Sequence, residues 1–321
     1  MLPLHNIGGS FGRIGVSLAL EVKKYINSEH TGEYVDIELP RPALNADEET
    51  EDTAAGERLR LHYIDMGTGE PMILLHTVGQ SIYTWRNIMK YLSAGYRVIA
   101  LDLPGHGYSS RPTNFKCAIE DYAEVLNLFM DAVGLQSAHF MCFSMSSAYA
   151  LCLARQHPEK IGNIILLSPG GITPEMPLMV RMLDNPIFGG VASRLYNLRT
   201  VEKILGECFF DLTNLTPDYS AECYKTVSDA ESRTIIRNSV YRYDEESIFK
   251  ELRMLECPVL ILWGCEDKWH TSELPELYHA AIKNASYAIV RNAGHLLHEE
   301  KADKVAALVN EYIAPVSDLV Q

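Results

Sequence analysis

The chain has 321 residues and a mass of 36.0 kDa, is 47% hydrophobic and 22% charged, and carries a formal charge of -14 from 28 Lys+Arg against 42 Asp+Glu. That profile excludes disorder, collagen and coiled coil, leaving a globular chain long enough for one large core and an inserted subdomain. The negative charge would repel nucleic acid or an anionic membrane surface, and no stretch reaches the roughly 20 apolar residues of a membrane helix.

Residues 1–27 hold an apolar patch with no basic start and no small-residue cleavage site, which reads as a short amphipathic helix and not as a signal peptide. Such a helix covers an apolar edge, or else serves docking or dimerisation. A strand follows near Tyr34–Leu39, and the acidic run Asn45–Glu57 reads as a solvated loop, so that residues 1–57 form a helix, a strand and a linker. From there short β-branched or Leu-rich runs alternate with helical spacings. Strands are expected near Leu59–Asp65, Met72–His76, Arg97–Asp102, Ala138–Cys142, Ile161–Ser168, Val259–Trp263 and Tyr287–Arg291. Helices are expected over Ser81–Leu92, Ile119–Val133, Met145–His157, Ser272–Ala281 and Leu296–Ile313.

This alternation predicts an α/β fold, a mostly parallel eight-stranded sheet with helices on both faces. It breaks once, between about Gly171 and Leu255, where only helical patterns occur. Residues 58–170 and 256–321 therefore make the core and 171–255 a helical insertion over the carboxyl edge of the sheet, where ligands bind in open α/β folds. The seven cysteines, odd in number and without close-spaced pairs, favour a reducing, cytoplasmic setting.

Three segments carry chemistry. In AHFMCFSMSSAYALCLARQHP an apolar strand runs directly into a helix, placing Ser144 in a sharp strand-to-helix turn. Glycine is usual two positions before and after such a residue; Cys142 and Ser146 stand there, and the bland alternative is Ser144 as a helix N-cap. In CPVLILWGCEDKWH a strand ends and leaves Asp267 in a loop; in SYAIVRNAGHLLHEE another ends and leaves His295. Ser, Asp and His thus fall just past three strand ends of one sheet. A hydroxyl becomes nucleophilic when an imidazole takes its proton, and a carboxylate fixes the tautomer of that imidazole. Glu266, His270 and His298 are poorer candidates by position. His76, His106 and His139 read as hydrogen-bonded structural histidines, no His/Cys spacing suggests a metal, and no cofactor is expected.

With these residues the chain resembles the α/β-hydrolase fold superfamily over about residues 59–313, in its serine-nucleophile, helical-cap form. The stretch LLHTVGQSIYTWRNIMKYLSAGYRVIALDLPGHGYSSRP is similar to the oxyanion loop, strand, Asp102 and Gly105–Ser109 turn of that superfamily, with His76-Thr77 where it has His-Gly. The resemblance implies that the amides of Val78 and Met145 form the oxyanion hole. Serine at position 144 disfavours dehalogenation and implies a serine hydrolase cleaving a small carboxylic ester through an acyl-enzyme. Alternatives are a carbon–carbon bond hydrolase, for which Arg181, Arg194, Arg199 and Arg242 are available cations, a cofactor-free haloperoxidase, suggested by Phe143-Ser144-Met145, and a hydrolase-like ligand sensor. Met176, Met179 and Phe209, among other apolar residues of the insertion, either line an acyl pocket or simply pack. The expected partner is a small-molecule substrate; oligomeric state is open.

Overall fold

The computed structural model describes residues 32–40, 57–171, 176, 178–270 and 273–314. The expected N-terminal helix and nearly all of the acidic linker lie outside them. Eight strands form one sheet: β1 Glu33–Glu38, β2 Arg58–Met66, β3 Glu70–Leu75, β4 Tyr96–Leu101, β5 Ala138–Phe143, β6 Ile161–Leu167, β7 Val259–Gly264 and β8 Ala285–Val290. Their order is β1-β2-β4-β3-β5-β6-β7-β8. The pairings β1–β2 and β2–β4 are antiparallel and the other five parallel, so the carboxyl ends of β3, β5, β6, β7 and β8 emerge at one edge.

The helices are α1 Met89–Leu92, α2 Ile119–Ala132, α3 Ser146–Gln156, α4 Leu178–Arg181, α5 Gly189–Arg194, α6 Leu198–Cys208, α7 Pro217–Thr226, α8 Ala230–Tyr241, α9 Glu245–Glu251, α10 Leu274–Ala281, α11 Leu297–Glu300 and α12 Ala302–Ile313. Because side chains alternate across a strand, successive core residues enter two different apolar layers. Phe140 and Cys142 of β5 pack with Leu126 and Phe129 of α2 and with Tyr149 and Leu153 of α3. Met141 and Phe143 face the other way, toward Val305 and Val309 of α12 and residues between β6 and β7 such as Leu205 and Tyr219. Both faces of the strand are fully buried, which is why these runs are continuously apolar.

Between β6 and β7 lie α4 to α9, with no strand among the described residues. Four of these helices begin at a side chain that caps the first turn: Asn197 accepts the Thr200 N–H, Thr216 that of Tyr219, Asp229 that of Ser232 and Asp244 that of Ser247. Among the described residues no helix is long and apolar enough to cross a membrane. All seven cysteines are free, five of them buried.

Two expected helices are interrupted. Ser81–Leu92 is a 3-10 turn over Ile82–Trp85 followed by α1, its bonds closing three residues back, as from Arg86 N to Tyr83 O and from Ile88 N to Trp85 O. The cause is tertiary: Asp102 captures the Ile82 N–H at 2.9 Å and Glu299 holds the Arg86 side chain. Leu296–Ile313 divides into α11 and α12 at Lys301, whose φ of -134° and ψ of 45° leave the helical region. Just before this break Glu300 turns its carboxylate back onto three amides upstream.

Candidate active site

Ser144 follows β5 with a φ of +55°, a left-handed conformation that a non-glycine residue adopts only where its surroundings impose it. Its N–H donates to Leu167 O of β6 at 2.9 Å. The serine at position 146, where glycine is usual, is itself part of the turn. Its Oγ accepts the Phe143 N–H at 3.0 Å and lies 2.8 Å from Leu75 O and 2.9 Å from Phe143 O, either of which takes its one hydrogen. Cys142 is fully buried, and burial pushes its thiol well above the ordinary range, so it acts as a small hydrophobe.

Asp267 follows β7 and His295 follows β8. The Asp267 Oδ2 accepts the His295 Nδ1–H at 2.8 Å, while its Oδ1 accepts the Trp269 and His270 N–H groups at 2.8 and 3.3 Å. The Nε2 of His295 is buried and has no hydrogen-bond partner among the described residues. The imidazole lies against Phe143, Trp269 and His270, at ring-centroid distances of 4.9, 5.1 and 4.9 Å. Burial lowers its pKa and outweighs the opposing pull of the Asp267 carboxylate. For Asp267, burial alone would raise the pKa; the His295 and His270 groups facing it win, and its pKa falls well below the carboxylate range.

Glycine is required where these loops close. A Cβ on Gly264 would meet Gly294 O at 2.0 Å, and one on Gly294 would meet Cys208 O at 2.5 Å. Glu266, passed over by position, reaches back across this contact and accepts the Ala293 N–H at 2.9 Å. The loops that bear Asp267 and His295 are thereby fixed to one another.

The N–H groups of Val78 and Met145 donate to no acceptor among the described residues. The loop carrying Val78 is held from below. His106 Nε2 accepts the Gly79 N–H at 3.1 Å while its Nδ1 donates to Pro104 O at 2.9 Å. Burial, reinforced by neighbouring His76, lowers the His106 pKa to about 3, so the ring stays neutral and keeps a lone pair for Gly79. His76 bridges Thr77 O and the Leu103 N–H. Gly107 leaves room for Asp102, whose carboxylate would lie 2.1 Å from a Cβ there.

A cavity of about 120 Å³ is lined by Ser144, His295, Val78 and Met145 together with Thr77, Gln80, Trp269 and apolar residues from the helices between β6 and β7. Met176 lines it. Met179 and Phe209, the other two residues considered for an acyl pocket, do not. Val180 lines the cavity in place of Met179, whose carbonyl accepts from Tyr196, and Phe209 is fully buried against Tyr219. Arg181, Arg194, Arg199 and Arg242 are all exposed and absent from its lining. A larger polar groove of about 820 Å³, bordered by Arg60, Tyr108, Arg111, Lys225 and Asp229, contains none of Ser144, Asp267 and His295. Asp267, His270 and His295 bring ligand-type atoms within 4.8 Å of one another, the one such group of three among the described residues, but the Asp267–His295 bond already uses two of those atoms.

Residues 70–302 match the family model for the alpha/beta hydrolase fold. The chain belongs to this α/β-hydrolase family. Similar proteins include a 2-hydroxy-6-oxononadienedioate/2-hydroxy-6-oxononatrienedioate hydrolase of Escherichia coli, 29% identical over 283 residues that span 81% of this chain and 93% of the relative. Its counterpart in Pseudomonas putida is 27% identical over 281 residues, 79% of this chain and 92% of the relative. Among solved α/β hydrolases, a meta-cleavage product hydrolase from Pseudomonas fluorescens superposes with a TM-score of 0.68 at 21% identity, covering 79% of this chain and 94% of that one. A membrane phospholipase A described as a bacterial virulence factor reaches 0.72 at 22% identity over 94% and 91%. At such identities the superpositions speak to the fold.

Proposed function

We propose that this α/β hydrolase cleaves a small, uncharged carbonyl substrate, a carboxylic ester, through an acyl-enzyme on Ser144. The observation that supports it is one cavity uniting Ser144, the unpartnered Nε2 of His295 and the unpaired amides of Val78 and Met145, with no Lys, Arg, Asp or Glu among the described lining residues. His295 donates Nδ1–H to Asp267, which leaves Nε2 as the basic nitrogen. It removes the Ser144 proton as Oγ attacks the carbonyl, then returns that proton to the departing alcohol. Asp267 holds the tautomer and balances the imidazolium. Val78 and Met145 donate to the oxyanion. Water, activated by the same Nε2, then releases the acid. Helices α4 to α9 form the cap that selects the substrate. The cavity, about 120 Å³ and walled by apolar residues such as Leu183, Val201 and Leu205, favours short acyl groups. A reducing, cytoplasmic setting belongs to this proposal, supported by the seven free thiols.

A second reading, carbon–carbon bond hydrolysis on the same three residues, is favoured by the relatives named as 2-hydroxy-6-oxononadienedioate hydrolases. A dienedioate carries two carboxylates, and burying a carboxylate without a cation is strongly unfavourable. On this reading the group that enters the cavity is neutral, a ketone, and the carboxylates of a dienedioate stay outside it.

The deciding experiment compares p-nitrophenyl esters of increasing acyl length with a dienedioate ring-cleavage product, in wild type and Ser144→Ala, together with fluorophosphonate labelling. Ester turnover peaking at a short chain, labelling at Ser144 and loss of both in the variant are expected. Faster turnover of the dienedioate would move the assignment to the second reading, and full turnover by Ser144→Ala would refute both.

A further inference from the structure

Gln80 stands in the turn that follows the Val78 loop, its N–H donating to Thr77 O at 3.2 Å, and it is among the residues that line the cavity. It is 7% exposed, and its Oε1 is buried with no hydrogen-bond partner among the described residues. An acceptor left so in an apolar cavity is costly unless something donates to it.

Which end of the amide faces the cavity follows from a chain of contacts behind it. Gln80 Nε2 lies 3.1 Å from the Tyr219 hydroxyl of α7, which lies 3.3 Å from Thr84 Oγ1. Thr84 Oγ1 is 2.8 Å from His298 Nε2 and 3.3 Å from Glu299 Oε1, and Glu299 is paired with Arg86 and Asn87. Thr84 has one hydrogen, and a carboxylate or an imidazole nitrogen is a stronger acceptor for it than a phenol. Toward Tyr219, Thr84 therefore offers a lone pair. The Tyr219 hydrogen goes to Thr84, and the Tyr219 oxygen is left to accept from Gln80 Nε2–H. Gln80, Tyr219, Thr84, His298, Glu299 and Arg86 are each more than nine-tenths buried, and the Arg86 guanidinium lies over the Tyr83 and Tyr219 rings at 4.5 and 4.7 Å, which leaves no freedom for the amide to reverse.

We propose that the Gln80 carbonyl oxygen is a specificity subsite for a neutral hydrogen-bond donor, a hydroxyl group on the substrate. The inference rests on the reading of this cavity as the substrate chamber. An anionic group would be repelled by the carbonyl oxygen. A cationic group would find no counter-charge among the described lining residues. A hydroxyl meets the acceptor without carrying charge into the cavity, and the amide, fixed by Tyr219, needs no rearrangement to receive it.

The test uses p-nitrophenyl esters of 2-, 3- and 4-hydroxybutyric acid against p-nitrophenyl butyrate, each normalised to its rate with hydroxide. Binding of hydroxylated and unsubstituted methyl ketones of equal length is measured by titration calorimetry in parallel. Wild type is expected to favour one hydroxylated ester, and one hydroxylated ketone, by about tenfold, the scale of one neutral hydrogen bond to a buried acceptor. In Gln80→Met, which keeps the length and removes the acceptor, both ratios should fall to near one. Tyr219→Phe, which frees the amide, should reduce them in part and serves if the first variant does not fold. No preference at any position, or a preference that survives Gln80→Met, overturns the subsite. Absence of fluorophosphonate labelling at Ser144 refutes the hydrolase reading instead, and the ketone titrations still decide the subsite.

Discussion

The Glu300 carboxylate accepts the Gly294 N–H at 2.7 Å, one residue before His295, and with the same oxygens accepts the N–H groups of Phe210 and Asp211 from the cap at 3.1 and 2.8 Å. One buried side chain thus joins the loop that carries the imidazole to the segment that closes α6. Leu296 N adds a bond to Cys208 O at 3.3 Å across the same seam.

Glu300→Ala leaves these donors without an acceptor and should cost about 1–3 kcal/mol of unfolding free energy, the cost of the one buried donor, Gly294, since Phe210 and Asp211 are exposed and water replaces the carboxylate there. Because the loop of His295 loosens with it, the rate of fluorophosphonate labelling at Ser144 should also fall, by about tenfold, as expected for a displaced general base. Urea unfolding and timed labelling measure the two effects. An unchanged labelling rate in a folded variant would show that Glu300 supports the cap alone.

The elbow offers a second test. Ser146→Ala removes the acceptor of the Phe143 N–H and should destabilise by about 1–3 kcal/mol. Ser146→Gly, despite matching the more usual residue, should destabilise comparably, because the hydroxyl link to Leu75 is lost and glycine adds backbone entropy to the unfolded chain. A glycine variant as stable as wild type in urea would mean that the serine merely fits.

Much of this was visible in the sequence because it is local. The central strands β3 to β7 carry continuous apolar runs while β1 and β2 alternate, and Ser144, Asp267 and His295 each follow the end of a strand, so order and spacing suffice to nominate them. The interruptions at Ile82–Trp85 and Lys301 were hidden, because the side chains that impose them, Asp102 and Glu299 for the first and Glu300 for the second, act on backbone or residues that are remote in sequence or lie upstream. Gln80 was invisible for the same reason: its partner Tyr219 lies 139 positions away. Met179 neighbours the cavity residue Val180 on α4, and which of the two faces inward depends on rotation about the helix axis, which a lone sequence does not fix; Phe209 lies just past the end of α6 in extended backbone and packs against Tyr219.

The pH dependence of catalysis should carry the mark of His295. Burial among Phe143, Trp269 and His270 sets its pKa below the ordinary imidazole value of 6.5, and in the proposed mechanism the neutral ring is the base. Activity is then lost as pH falls through that lowered value, so the acid limb of kcat/KM should have its midpoint below 6.5. A midpoint at or above 6.5, with a substrate that does not itself titrate, would contradict the environment described for this ring.

His106 ties stability to pH with a sign that can be worked out. The native state keeps it neutral down to about 3, whereas the unfolded chain takes up its proton near 6.5. Between those values the unfolded state binds more protons than the native one, so stability rises with pH, is fully present above 6.5 and declines on acidification. One such group contributes a slope of about 1.4 kcal/mol per pH unit. The buried rings of His76 and His298, whose pKa values are also lowered, add to it in the same direction. Urea unfolding of wild type and His106→Gln between pH 7 and pH 5 should show a shallower dependence in the variant, by about that slope. Parallel curves would mean that His106 gains its proton without unfolding, and the Gly79 amide would then need another acceptor in the acid native state.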